Sequence, residues 1–367
     1  MQTKDRALFC TLANSISSIN IILIREGNFM KRLKTFVTAA AISITMGFFI
    51  SNTAHAECGD ITISEMNWAS AQLMANVDKI ILQEGYGCNA EIIPGDTMPT
   101  FTSMNEKGRP DVAPELWVNA VRQPLKKAID SGRLQVVNKA PISGLGEGWW
   151  VTPKFLKDNP TLNSVEKVLE HPNLFPYAED SSKGAFMGCP AGWGCQLANA
   201  NLFRAFNMDK KGWVLVDPGS AAGLDGSIAK AANRGENWFG YYWNPTAIVG
   251  KYNLAMLPFE TKFAGSENWD GCIVKPEQEC ASPKPSSWTE SAVRTVITTE
   301  FKKRGSVAAE YLAKRKYPGN IMNSMLVFMT DNQANGADAA IEFLTRHEVL
   351  WTKWVSQDAA KKIKTAL

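Results

Sequence analysis

The chain has 367 residues, 12 of them tryptophan, with 39 basic against 36 acidic side chains. Six of the basic and two of the acidic residues lie in the first 56 positions, so the remainder carries 33 basic against 34 acidic. That balance argues against a polyanion partner such as nucleic acid, and a remainder this long exceeds the usual single core, so two lobes are expected.

The amino terminus reads as a targeting segment. Met30 is followed by Lys31, Arg32 and Lys34, then by an apolar run from Phe36 to Ile50, then by Ala54-His55-Ala56. Basic, apolar and small-x-small in that order is a secretory signal peptide, with cleavage expected after Ala56. Residues 1–29 precede the more natural start at Met30 and read as an upstream extension. The apolar run is shorter than the ~20 residues of a spanning helix. Acidic Glu57 stands where a lipoprotein signal has a small residue, which argues against a lipid anchor on Cys58.

Export leaves six of the seven cysteines, an even set that reads as disulfides. Local spacing pairs Cys189 with Cys195 and Cys272 with Cys280, which leaves Cys58 for Cys88. Only His171 and His347 remain beyond the signal, far apart and without converging cysteine pairs, so neither a metal nor another cofactor is expected.

The predicted elements alternate. Ile61 to Ser64 reads as a strand, and Leu73, Val77, Ile80 and Ile81 recur at helical spacing up to Gly85. Ala90 to Ile93 is extended, Pro99 to Glu106 a short helix, and Asp111 to Trp117 extended again. Ser143 to Gly148, with three glycines, is a candidate crossing between lobes. Leu197 to Phe206 reads as a helix, Trp213 to Val216 as a strand, Ala221 to Asn233 as a helix, and Trp238 to Trp243 as a strand. Gly271 to Ser287 is a second boundary or surface loop. Ala337 to Ile363 is helical, with Phe343, Leu344, Val349, Leu350 and Trp354 as its buried stripe. The fold class is therefore α/β, with mostly parallel sheets and helices on both faces.

The tryptophans carry the functional argument. Trp213, Trp269, Trp288, Trp351 and Trp354 are read as core. Trp68 follows the first strand, while Trp117 and Trp243 each end one, and in open α/β sheets ligands bind beyond the carboxyl ends of the strands. Trp149 and Trp150 are neighbours on an extended segment, so only one can line a cleft, and Trp150 is the candidate. In GCPAGWGC, residues 188–195, a disulfide and three glycines hold Trp193 at a helix N-terminus, where free backbone N–H groups favour an anion. An ammonium without N–H cannot be hydrogen-bonded and is held by aromatic faces, at about 2 kcal/mol per desolvated ring. Three or four rings supply roughly 6 to 8 kcal/mol, near micromolar affinity.

At these residues the chain resembles the periplasmic substrate-binding proteins of ABC importers for glycine betaine, proline betaine and choline. The resemblance runs through MNWASAQLMANV (66–77), DVAPELW (111–117), GCPAGWGC (188–195) and GYYWNP (240–245). It implies a two-lobe flytrap fold with a hinge, divided as 57–147 for the first part of lobe 1, 148–286 for lobe 2, and 287–367 for the return to lobe 1. It further implies a periplasmic monomer that serves an inner-membrane permease with its ATPase. By position Trp193, Trp243 and Trp117 match the family's tryptophan box, and Trp68 and Trp150 complete it. Glu115 shares a strand face with Trp117; turned toward the box, it would favour choline, or hydrogen-bond the oxygen of trimethylamine N-oxide. A more distant alternative is a secreted sugar-binding protein or glycoside hydrolase, with Glu115 and Glu147 as acid and base.

Overall fold

The structure, a computed structural model, describes residues 59–367. The upstream extension, the signal segment and Cys58 of the expected Cys58–Cys88 pair lie outside the described residues. Among the described residues ten strands form two five-stranded sheets. They are β1 (Asp60–Met66), β2 (Asn89–Gly95), β3 (Val112–Trp117), β4 (Leu134–Asn138), β5 (Gly146–Val151), β6 (Gly184–Met187), β7 (Trp213–Val216), β8 (Phe239–Asn244), β9 (Ala255–Met256) and β10 (Val293–Thr298).

The first sheet has the order β2-β1-β3-β10-β4 and the second β7-β6-β8-β5-β9. In lobe 1, β1 is parallel to β2 and β3, while β10 runs antiparallel to β3 and β4. In lobe 2, β6 is parallel to β7 and β8, while β5 runs antiparallel to β8 and β9. Each sheet thus contains one reversed strand, and in each lobe it is the strand by which the chain arrives from the other. The chain crosses twice, between β4 and β5 and again ahead of β10.

The first crossing is narrower than the glycine-rich run implied. Gly146 and Gly148 belong to β5, so a boundary at residue 147 would cut a strand. The crossing itself is pinned on both sides: the Ser143 amide donates to the Tyr317 carbonyl in lobe 1, and the Asn244 side-chain amide donates to the Gly144 carbonyl from lobe 2. Gly144 sits there at φ +79°, a conformation that side chains with a Cβ resist.

Helix Ala69–Ile80 follows β1 and is buried continuously from Leu73 to Asp78, because the sheet covers one side and helix Gly336–Arg346 the other. Its buried Asp78 is paired with Arg315, Nε to Oδ1 2.7 Å, and also accepts from the Tyr311 hydroxyl. Burying a charge is tolerated when it is paired and hydrogen-bonded in this way. Lobe 2 is built on aromatics, with Trp149 4.5 Å from Phe186 and 5.8 Å from Phe239, centroid to centroid. The carboxyl-terminal stretch is three helices, Gly336–Arg346, Glu348–Trp351 and Gln357–Ala366, rather than one. Phe343, Leu344 and Trp354 are buried there, but Val349 is 77 % exposed, since the break after Arg346 rotates it off the stripe. Among the described residues no helix is long and apolar enough to cross a membrane.

Candidate functional site

The carboxyl ends of the parallel strands in both sheets point at one cavity between the lobes. Trp68, after β1, and Trp117, at the end of β3, come from lobe 1; Trp193, after β6, and Trp243, in β8, come from lobe 2. All four line the cavity, together with Tyr241, Trp269 and Trp288. The rings meet mostly at steep angles. Trp193 lies 5.2 Å from Trp68 at 72° and 5.1 Å from Trp243 at 80°, so the three form walls of a box rather than a stack.

Trp193 is placed as its sequence context implies. It is the N-cap of helix Gly194–Ala205, and the Cys189–Cys195 disulfide closes its loop. The first amides of a helix have no intrahelical acceptor, and Gly194 and Cys195 both line the cavity. The Trp193 indole N–H donates to Asn67 Oδ1 at 2.7 Å and Asp96 Oδ1 at 3.2 Å, bonds that run from lobe 2 to lobe 1. The Met98 amide donates to the Gly192 carbonyl, again across the seam. Cys272 and Cys280 are also joined, and the segment that they staple brings Val274 to the cavity.

Glu115 does not line the cavity. It is fully buried behind it, where Oε1 accepts from the indole N–H of Trp68 (2.8 Å), that of Trp117 (2.8 Å) and the Ser70 hydroxyl (2.9 Å). Its work is to fix two walls of the box at once. Burial pushes its carboxyl up to about 7, against the opposing pull of those donors and of Arg315. A carboxyl raised in the folded state stabilises most below its unfolded value, and that contribution is lost as pH rises through the folded one. Thermal unfolding is therefore expected to show stability falling between pH about 4.5 and about 7, with Glu115→Gln flattening the slope.

Trp150 is not a box residue, and neither is Trp149. The Trp150 N–H donates to the Tyr242 carbonyl, the Trp149 N–H donates to Asn199, and both rings pack inside lobe 2. The reason is strand direction. Because β5 is antiparallel to β8, its amino end reaches the cavity, and Glu147 pairs with Trp243 there. Glu147 lines the cavity and, among the lining residues, is the one that carries a carboxylate. Asn119 donates to its Oε2 at 2.6 Å across the seam, and the Tyr241 hydroxyl donates to its Oε1 at 2.9 Å. Burial raises this carboxyl to about 7, while Tyr241, Asn119, Trp288 and Ser291 act to lower it. Trp269 and Trp288, read from sequence as core, also reach the cavity; Trp269 donates its N–H to the Asn119 carbonyl in lobe 1.

The lobes meet without room to spare. A Cβ on Gly194 would stand 2.6 Å from the Ala120 Cβ of the opposite lobe. Gly194→Ala is expected to wedge the cleft and lower ligand affinity by about tenfold or more, with the unfolding midpoint little changed; calorimetric titration beside a melting curve measures both. Among the described residues no group of three or more histidine, cysteine or acidic side chains could hold a metal ion.

The chain is 23% identical over 327 residues to the trimethylamine N-oxide-binding protein of Pelagibacter ubique, covering 88% of this chain and 99% of that one. Among solved structures it resembles the glycine/betaine/L-proline-binding protein ProX from Borrelia burgdorferi, with TM-score 0.65, 16% identity, and 83% and 99% of the two chains covered. It likewise resembles lactococcal OpuAC, closed and complexed with glycine betaine, with TM-score 0.61, 18% identity, and 81% and 100% covered. These likenesses carry the two-lobe fold. The family model for the substrate-binding domain of ABC-type glycine betaine transport systems matches residues 59–346, and with the two sheets closing on an indole-lined cavity, the chain belongs to that family.

Proposed function

We propose that the exported chain is a periplasmic, non-enzymatic receptor that captures a small methylated amine in the tryptophan cavity and hands it to an ABC permease with its ATPase. The observation that carries this reading is a cavity walled by six indoles and a phenol, with no lysine or arginine among its lining residues. Such walls attract a nitrogen whose methyl groups leave no N–H to donate. Within that class the fit is to trimethylamine N-oxide: three methyls face the rings, and the single oxygen meets the helix amides at Gly194 and Cys195 or a protonated Glu147. The Pelagibacter relative supports the choice by its name.

A second reading is choline. Ionised Glu147 would pair with a net cation, and Asn119, which lines the cavity, has an Oδ1 that finds no hydrogen-bond partner among the described residues and could accept from the choline hydroxyl. Glycine betaine brings a carboxylate, which would take a hydrogen bond from protonated Glu147 and be repelled by its ionised form.

The protein should be titrated with trimethylamine N-oxide, choline, glycine betaine and unmethylated glycine while tryptophan fluorescence is followed. Micromolar binding of at least one methylated amine, with glycine inert, is expected. Equal responses to all four, or none, would sink the proposal.

A further inference from the structure

The wall formed by Trp68 and Trp243 has a second cavity on its far side. It too lies at the seam: Ser70 and Thr330 of lobe 1 face Asp225 and Thr246 of lobe 2 across it. Its volume is ≈ 50 Å³, enough for a few heavy atoms. Asp225 lies in helix Ala221–Arg234, and its Oδ1 accepts from the Tyr242 hydroxyl at 2.6 Å. Its Oδ2 accepts no hydrogen bond from the described residues, and no lysine or arginine lines the cavity. Burial pushes its carboxyl up, against the pull of the Tyr242 hydroxyl, and among the described residues no lysine or arginine lines the cavity to balance it.

We infer that this cavity is a second cation site, selective for a small ammonium that retains N–H groups, such as methylammonium. The main cavity offers ring faces to a nitrogen with nothing to donate. Here a carboxylate oxygen with spare acceptor capacity, flanked by the hydroxyls of Ser70, Thr246 and Thr330, takes N–H donors, while Trp68 and Trp243 receive the methyl. Because both lobes supply the walls, the site is complete only when they are closed.

The test is ligand-observed saturation-transfer NMR with methylammonium chloride against the full exported chain at pH 8, with sodium chloride as the ionic-strength control. Binding in the range of about 1 to 10 mM is expected for the wild type. Asp225→Asn should weaken it by about tenfold or more, since a charge-assisted bond is lost. Thr330→Val, on the opposite lobe, should weaken it about threefold and serves if the first variant proves unstable. Trp288→Ala, which alters the main cavity at a ring that touches Tyr241 and Trp269 and not Trp68 or Trp243, should leave it within about twofold. Absence of binding, indifference to both the Asp225 and Thr330 changes, or loss in the Trp288 variant would overturn the assignment; the last result would place methylammonium in the main cavity. None of these outcomes depends on which methylated amine the main cavity prefers.

Discussion

Replacing Trp193 by alanine is expected to lower affinity for the main ligand by about 100-fold or more, from the loss of one ring face and of a hydrogen bond that spans the lobes. The indole is at once a wall of the box, in contact with Trp68 and Trp243, and a latch, through its N–H bonds to Asn67 and Asp96. A ring over a desolvated cation contributes about 2 kcal/mol, and the inter-lobe bond adds about 1 kcal/mol. Trp193→Phe separates the two roles. It keeps an aromatic face but cannot donate, so it should recover the larger part of the loss. Calorimetric titration of both variants, each checked for wild-type circular dichroism, gives the comparison. An alanine variant within threefold of wild type would remove Trp193 from the site.

The pH dependence of binding is expected to have opposite signs for the two candidate ligand chemistries, and Glu147→Gln should abolish both. Its carboxyl sits at about 7, so the charge of the cavity changes across the neutral range. A ligand that prefers the carboxylate, choline, binds more tightly as pH rises through that value, by up to about tenfold per unit below it. A ligand whose oxygen prefers the protonated acid, trimethylamine N-oxide, loses affinity over the same interval. Titrations at pH 5.5, 7 and 8.5 decide the matter: flat profiles for both ligands in the wild type would mean that Glu147 takes no part in recognition.

The parts of the site legible in the sequence are those that obey one rule. Trp68, Trp117 and Trp243 follow or end strands of clear alternation, Trp193 follows β6 on a disulfide-closed loop, and all four converge where parallel strands finish. Sequence order carries no such cue for a reversed strand. Treating β5 like its neighbours puts Trp150 at the cavity; pairing it antiparallel to β8 brings up Glu147 instead. Trp269 and Trp288 escaped for another reason: they lie outside the strands, on either side of the stapled Cys272–Cys280 segment, and only the tertiary fold returns that segment to the cleft. Glu115 hydrogen-bonds the Trp117 indole two residues along the strand, yet its position behind the rings is a matter of depth, which alternation along a strand cannot encode.

Glu147 stands one residue into the strand that leaves the crossing, and its bond to Asn119 exists only while the halves are shut. In an open cleft Glu147 keeps its lobe 2 partner Tyr241 but lacks the one from lobe 1. The full set of contacts to that carboxyl is assembled on closure, so rival solutes should differ chiefly in how long they stay and much less in how fast they arrive.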